Sequence, residues 1–232
     1  MRYLLIPVKE LTRAKQRLAP LMSQEERTRL AWLMLERALA AGSRVKGVDR
    51  AAVVTAYAPA AELARRHGLE VIAEPAQVSE SASVDFAERE LLKRGAESVL
   101  CVPADLPLLT REDLEAVASC APPGPSVLLA PSREGTGTNA ILRTPPALFP
   151  SRFGEGSLFK HAAEAQRRGA ACRVVSRAGI ALDLDRPEDV AAFLGLGPRT
   201  EVARFLRRLR VAERLESYFA SRVPAARARV PA

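Results

Sequence analysis

The sequence predicts an α/β fold in three layers, with a mostly parallel sheet covered by helices on both faces. Short apolar runs without alternation are typical of strands buried on both faces. In this chain, segments with the apolar spacing of an α-helix lie between these runs, as the connection between two parallel strands requires. The 232 residues are 48% apolar, mostly Ala, Leu and Val, and only 5% aromatic, which favours helices packed on a sheet over a β-sandwich. This length suits one domain with an appendage.

The first strand and helix show the pattern that the rest of the chain repeats. Residues 2–8 (RYLLIPV) form a continuous apolar run, which predicts a buried strand. Ser23 and Glu26 form a capping box before a helix that ends at Gly42. The alternation continues with predicted strands at 51–56, 69–73, 97–102, 126–130, 139–143, 171–176 and 180–184, and with predicted helices at 59–67, 83–94, 111–119, 157–168 and 187–194.

Glycines and a proline at 195–198 divide the chain into a predicted domain at 1–197 and a basic helix and tail at 198–232. The net charge is +8, and +6 of it lies from residue 199 onward, so the charge argument for nucleic acid applies to the tail alone. Residues 199–220 predict an amphipathic helix whose apolar stripe favours packing, either on the domain or in a homodimer. No nucleic-acid or membrane partner is expected.

The cysteines and the start of the chain indicate a cytoplasmic protein. Cys101, Cys120 and Cys172 are far apart and show no zinc-ligand spacing, which is typical of a reducing compartment. The apolar run at the start is too short for a signal peptide, and no stretch approaches the roughly 18 to 20 apolar residues of a membrane span.

A cluster of cations follows the first strand directly. In open α/β sheets, ligands bind outside the carboxyl ends of the strands, so this loop is a candidate site. Lys9, Arg13, Lys15 and Arg17 lie within it, between a buried strand and a helix. Cations and backbone N–H groups in that position can surround a polyphosphate. The alternative is a solvated basic loop.

Three carboxylates follow other predicted strands. Asp105 is the only charge in an apolar stretch after the strand at 97–102, and Thr110 with Asp113 is the better helix cap there. Asp183 lies at the end of the predicted strand 180–184 and Asp185 follows it directly. If the extended chain continues through both, they point to one face and repel unless a cation lies between them. Asp185 alone could instead cap the next helix. The three together predict a Mg²⁺ site.

The chain resembles the 2-phospho-L-lactate or phosphoenolpyruvate guanylyltransferases of deazaflavin coenzyme biosynthesis. The resemblance is carried by five ordered blocks: PVKELTRAKQRLAPL (7–21), VPADLPLL (102–109), APSREGTGTNAI (130–141), FGEGSLFKH (153–161) and LDLDRPEDV (182–190). It implies a three-layer Rossmann-like nucleotidyltransferase fold and an enzyme that moves GMP from GTP to a phosphorylated three-carbon acid.

The resemblance also assigns residues. Asp105, Asp183 and Asp185 match the magnesium ligands, and Lys9, Lys15 and Arg17, beside Arg13, match the cations that hold the triphosphate. Thr138, Asn139, Gly154 and Ser157 fall at positions that hold the acid. His161 lies one helical turn after Ser157 and is expected either to face the same site or to lie on the polar surface.

The nucleotide-base segment departs from the family. Residues 74–87 (EPAQVSESASVDFA) replace the Gly-Leu-Asn-x-Ala segment that many members carry. Ser81, Ser83 and Asp85 still offer hydroxyls and an acceptor for guanine.

These residues predict direct displacement without a general base, because a phosphate monoester acceptor is already ionised. Two alternatives stay open. One is a related nucleotidyltransferase that uses another base or acceptor, such as 3-phosphoglycerate, molybdopterin or a sugar phosphate. The other is a non-catalytic nucleotide-binding protein, against which the presence of all three aspartates argues.

Overall fold

The computed structural model describes residues 1–222, in which seven strands form one sheet. The strands are β1 (Arg2–Pro7), β2 (Arg50–Thr55), β3 (Glu70–Ala73), β4 (Ser98–Cys101), β5 (Ser126–Pro131), β6 (Thr138–Thr144) and β7 (Ala171–Val174). The helices are α1 (Gln24–Gly42), α2 (Ala58–Arg66), α3 (Glu80–Lys93), α4 (Arg111–Ser119), α5 (Ser157–Arg167), α6 (Ala178–Ala181), α7 (Pro187–Gly195), α8 (Glu201–Arg208) and α9 (Val211–Ala220), with a short 3-10 helix at Gln16–Leu18.

The sheet has the order β3-β2-β1-β4-β6-β5-β7 and is mostly parallel, as predicted. β1 pairs in parallel with β2 and β4, and β5 pairs in parallel with β7. β6 is the exception, since it runs antiparallel between β4 and β5. The loop from β5 to β6 spans only 132–137, which is too short for a crossover and long enough for a hairpin. β6 therefore begins at the edge of the sheet where β1 and β4 end.

Helix caps confirm several predicted boundaries. Ser23 and Glu26 form the reciprocal capping box of α1, and Thr110 and Asp113 form that of α4. α3 begins earlier than predicted, at Glu80, because the hydroxyl of Ser79 accepts a hydrogen bond from the backbone N–H of Ala82 and so caps the helix.

The predicted strand at 180–184 is wrong. α6 occupies Ala178–Ala181, and the chain after it is extended without a strand partner. Ile180, Leu182 and Leu184 are buried alternately, which explains the strand-like pattern. Gly179 allows α6 to pack tightly, because a Cβ there would lie 1.9 Å from the Asp113 carboxylate.

The predicted helix at 199–220 is two helices, α8 and α9, separated at Arg210, which has a left-handed φ of 53°. Their apolar stripe packs on the domain, in one cluster with α1, α7 and the segment 18–22. Arg214 on α9 also donates to the Glu26 carboxylate at 2.8 and 3.0 Å and to the Leu21 carbonyl at 2.9 Å. This chain's own domain therefore covers most of the stripe, while Phe219 is 37% exposed. The homodimer stays a prediction. Residues 223–232 of the predicted tail lie outside the described residues.

The two faces of the sheet carry separate hydrophobic clusters. One lies between the sheet and α1, α2 and α4, and the other lies between the sheet and α3 and α5. This is the predicted three-layer arrangement. Among residues 1–222, no helix is both long enough and apolar enough to cross a membrane.

Candidate active site

A cleft of about 1260 Å³ opens at the edge of the sheet where β1 and β4 end and β6 begins. Its walls include the loop after β1, the residues after β4, the start of β6 with the start of α5, and the segment after α6. The four predicted cations Lys9, Arg13, Lys15 and Arg17 all line it, as do the three predicted aspartates. All seven residues therefore line the same cleft, at the strand ends where ligands of open α/β sheets bind.

Lys15 lies at the centre of the charged part of the cleft. Its Nζ donates to Asp105 Oδ2 at 2.6 Å and lies 3.9 Å from Asp185 Oδ1, while its side chain is only 8% exposed. Burial alone would lower the pKa of Lys15, but the charge and hydrogen bond of Asp105, with the charges of Asp185 and Asp183, raise it. The ammonium group is therefore held charged. Its backbone has a left-handed φ of 54°, a strained conformation for a residue with a side chain.

The three aspartates reach the cleft from two segments. Asp105 follows β4 and is about one-third exposed, whereas Asp183 and Asp185 follow α6 rather than lying on a strand. Burial, and after it the charge of Asp105, raises the pKa of Asp183 to about 6. Asp185 accepts from Arg17 at 2.5 Å and does not cap α7, since Asp189 accepts the N–H groups of Asp185 and Arg186 there.

The acidic groups of residues 1–222 do not form a preassembled metal site. Within the described part of the chain, no three His, Cys, Asp or Glu side chains are placed to hold a metal ion together. Mg²⁺, however, is commonly held through one or two carboxylates and completed by substrate phosphates and water. Asp105 and Asp183 are close enough for the charge of one to raise the pKa of the other, and a cation between them would relieve that repulsion. The donor set therefore fits a magnesium ion that arrives with a nucleotide.

Glu80, which sequence reasoning missed, also lines the cleft. Its carboxylate lies 3.7 Å from Lys9 Nζ, and burial, with the charge of Asp105, raises its pKa. The predicted start of α3 at residue 83 left Glu80 in a loop. Only the cap at Ser79 could have indicated that Glu80 opens the helix.

The start of β6 and the start of α5 form a corner of the cleft. Ser157 is the first residue of α5, after Gly156, and its hydroxyl accepts the backbone N–H of Thr138 at 2.9 Å. Thr138, Ser157 and Gly154 all line the cleft. Asn139 lines it too, but its amide donates to the carbonyls of α6 and to Asp183 Oδ1 at 3.3 Å. Asn139 thus ties β6 to the segment that carries two of the aspartates.

His161 is buried rather than on the surface. Its Nδ1 lies 3.1 Å from the Thr138 hydroxyl, and its Nε2 accepts the backbone N–H of Arg152 at 3.0 Å. The described residues that line the cleft do not include it. His161 contacts Thr138, which lines the cleft, but does not line the cleft itself. The expectation that His161 faces the site directly is therefore not met.

The three residues predicted for the nucleotide base separate into two groups. Ser83 lines the cleft and its hydroxyl lies 2.6 Å from Glu74. Ser81 and Asp85, four apart on α3, face the loop at 151–153, where they accept the N–H groups of Phe153 and Ser151. Within residues 1–222, Ser81 and Asp85 do not line the cleft. All three residues lie on α3, because that helix begins at Glu80, and a helix directs Ser83 to a different side from Ser81 and Asp85.

Comparison with known proteins shows the family of the chain. The family model described as guanylyl transferase CofC like matches residues 1–228. A phosphoenolpyruvate guanylyltransferase from Rubrobacter xylanophilus is 37% identical over 189 residues, which cover 82% of this chain and 91% of the relative. A 2-phospho-L-lactate guanylyltransferase from Methanothermobacter thermautotrophicus is 31% identical over 206 residues, which cover 89% and 90%.

Solved structures support the fold. A nucleotidyl transferase from Methanothermobacter thermautotrophicus superposes with a TM-score of 0.58 at 17% identity, covering 90% of this chain and 99% of that one. At this identity the likeness concerns the fold alone. It confirms the predicted Rossmann-like fold class.

Proposed function

The chain belongs to the family of guanylyl transferases like CofC, and on that premise we propose that it moves GMP from GTP to a phosphorylated three-carbon acid and releases pyrophosphate. The acid is phosphoenolpyruvate or 2-phospho-L-lactate, the acceptors that the names of the two relatives give. The product would serve deazaflavin coenzyme biosynthesis. The observation that carries the proposal is the Lys15 ammonium, held among three aspartates in a cleft whose other wall offers uncharged hydroxyls.

The chemistry needs positioning and charge neutralisation. The phosphate of the acceptor is ionised at neutral pH, so it can attack the α-phosphorus of GTP without a general base. Lys15 and Arg17 would stabilise the charge that develops on the leaving pyrophosphate, while Lys9 and Arg13 hold the outer phosphates. Each of these side chains lines the cleft.

We propose Asp105 and Asp183 as the principal holders of Mg²⁺, with Asp185 beside them. When bound with the nucleotide, the ion would supply a Lewis acid that reduces the negative shielding of the α-phosphorus. Asn139 orients Asp183, and Arg17 orients Asp185. These contacts support a site in which the two aspartate segments keep fixed positions.

The acceptor would lie in the corner formed by Thr138, Gly154 and Ser157. Both hydroxyls border the cleft, and the N-terminus of α5 favours a negative charge there. Ser83 is the base contact that we propose for guanine, with Ser81 and Asp85 holding the neighbouring wall. We also propose a cytoplasmic location, which the three free cysteines favour.

One assay tests this function. Pyrophosphate release is measured with Mg²⁺ and each of GTP, ATP, CTP and UTP, combined with phosphoenolpyruvate, 2-phospho-L-lactate or 3-phosphoglycerate. We expect GTP with one of the first two acids to give the highest kcat/KM, and Lys15→Met to lose that activity. A preference for another nucleotide or for 3-phosphoglycerate would contradict the proposed substrates. Nucleotide binding without any release would indicate a non-catalytic protein.

A further inference from the structure

The imidazole of His161 is held in one orientation by four neighbours. Phe149 stacks on it with ring centroids 6.0 Å apart, and Phe153 contacts it edge-on at 5.2 Å. Both ring nitrogens have protein partners, Thr138 on Nδ1 and the backbone of Arg152 on Nε2. The ring is fully buried. A histidine fixed in this way has a determined tautomer.

The tautomer follows from the partner of Nε2. A backbone N–H can only donate, so Nε2 must accept and carries no proton. Burial, together with the nearby cations Arg143, Lys160 and Arg152, lowers the pKa of His161 to about 4, so the ring is neutral at pH 7. The single ring proton is therefore on Nδ1 and is donated to the Thr138 hydroxyl at 3.1 Å.

The N–H of Arg152 is itself held in place. Ser151 N–H donates to Asp85 at 2.9 Å, and Phe153 N–H donates to Ser81 at 3.1 Å, so the amides on both sides of Arg152 are anchored. These two contacts are made by α3, whereas His161 belongs to α5. The loop cannot easily rotate the Arg152 amide away from Nε2.

A hydroxyl that accepts a hydrogen bond from His161 keeps its own proton for another partner. Thr138 lines the cleft, so that proton can be donated to a ligand there. Ser157 repeats the arrangement, since its hydroxyl oxygen accepts the Thr138 N–H and its proton remains available. Two neighbouring hydroxyls are thereby prepared as donors, which suits the oxygens of an anion better than a neutral acceptor.

We propose that His161 is a positioning residue that makes the Thr138 hydroxyl a dedicated hydrogen-bond donor to the anionic acceptor acid. This inference rests on the proposed function, because it takes the acid to occupy the corner of Thr138 and Ser157. His161 does not touch the acid. It acts through Thr138, and its effect belongs to acceptor binding rather than to GTP binding.

A double-mutant cycle separates this role from a merely structural one. Hydrogen bonds to charged groups contribute enough that Thr138→Val should raise the KM of the acid by about tenfold or more. His161→Leu should raise it by roughly fivefold to tenfold while the KM for GTP stays unchanged, because Thr138 is then free to rotate. The double variant should be no worse than Thr138→Val alone. Additive effects, or equal losses for acid and GTP, would overturn the proposal.

Two further variants sharpen the cycle. His161→Asn places an amide N–H near the position of Nδ1, so it should restore most of the acid affinity that His161→Leu loses. His67→Asn changes the other histidine, which lies at the end of α2 away from the cleft, and should leave both KM values at the wild-type level. No recovery in His161→Asn, with thermal unfolding matching that of His161→Leu, would count against the proposal.

Nitrogen-15 NMR of the wild-type imidazoles tests the tautomer without any substitution. We expect a protonated Nδ1 and a bare Nε2 for His161 at pH 7, and a proton on Nε2 would overturn the inference. This result does not depend on catalysis. If no acid accepts GMP from the wild-type protein, the proposed function fails, and the NMR spectrum still decides the state of His161.

Discussion

Replacing Lys15 by methionine tests whether the central ammonium group supports catalysis more than folding. The substitution keeps the length of the side chain and removes one charge from a position that is 8% exposed. Asp105, Asp183 and Asp185 would then face one another with Arg17 as the remaining close cation on Asp185. Both effects of the change can be sized from these contacts.

The cost in stability should be moderate. Breaking a buried ion pair by removing one partner typically costs about 3 to 5 kcal/mol. Here the side chains of Asp105 and Asp185 are 34% and 35% exposed, so water can solvate them after the change. We therefore expect the free energy of unfolding to fall by about 1 to 3 kcal/mol.

The cost in activity should be larger. An ammonium group about 4 Å from a phosphate charge contributes roughly 4 kcal/mol at an effective dielectric constant near 20, which corresponds to about a thousandfold in rate. Lys15→Met should therefore lower kcat/KM for pyrophosphate release by about 10² to 10³, the range seen when one preorganised donor is removed.

The strained backbone of Lys15 offers a matched comparison. Lys15→Gly removes the same charge at a φ of 54°, which glycine adopts readily, but it also deletes a side chain that is 8% exposed, so the strain that it relieves, about 1 kcal/mol, should be outweighed by lost packing of about 2 kcal/mol or more. The two variants should be equally inactive although their stabilities differ. Lys46→Met, at an exposed position that the described cleft does not include, is the control for loss of a lysine. Urea denaturation and pyrophosphate release are measured for all three. A Lys15→Met protein within threefold of wild-type kcat/KM would refute the reasoning.

Three further perturbations address the carboxylates, the C-terminal helices and pH. Asp183→Asn should reduce pyrophosphate release by at least about 10² without unfolding the protein, because it removes one of the two charges proposed to hold Mg²⁺; titration of activity with Mg²⁺ checks this, and an unchanged Mg²⁺ dependence would contradict it. Truncation after Gly197 should lower the free energy of unfolding by more than about 3 kcal/mol, since each buried Leu or Phe of α8 and α9 stabilises by about 1.5 to 3 kcal/mol. Truncation after Arg222 keeps both helices and is the control, and equal melting temperatures of the two truncated proteins would contradict the prediction. The pKa of His161 is lowered from 6.5 in the unfolded chain to about 4 in the folded protein, so the unfolded chain binds more protons between these pH values. The free energy of unfolding should therefore fall by about 3 kcal/mol as the pH drops through that range. Urea denaturation at pH 7 and pH 4.5 should show a smaller loss in His161→Asn than in the wild type, and identical losses would contradict the assignment.

Local signals predicted most of the framework because each depends on few neighbours. The capping boxes at Ser23 and Thr110 require only residues three apart, and both formed. The apolar run at 2–8 predicted β1 because a strand buried on both faces needs no alternation. Because ligands bind at the carboxyl ends of the strands in open α/β sheets, the cations after β1 and Asp105 after β4 could be predicted to lie at one edge of the sheet.

The parts that sequence could not predict depend on distant partners. The alternation of Ile180, Leu182 and Leu184 imitates a strand, yet no strand of the described chain pairs with it. A helix as short as α6 is too brief for periodicity to reveal, and its position depends on Asn139 and Asp113 from other elements. His161 was equally ambiguous, because the residues that bury it come from the loop after β6.

The relative placement of the aspartates is set by the backbone as well as by charge. The N–H of Leu184, between Asp183 and Asp185, donates to the carbonyl of Asp105 at 3.3 Å. The segments after β4 and after α6 are therefore joined directly beneath their carboxylates, and Asn139 holds the second segment to β6. Because these bonds do not involve the side chains of Asp105 and Asp185, neutralising either carboxylate should change the affinity for cations and phosphates while the backbone of both segments keeps its place. The backbone bond between these segments and the ion pairs of Lys15 with Asp105 and Asp185 therefore act together to hold the like charges close.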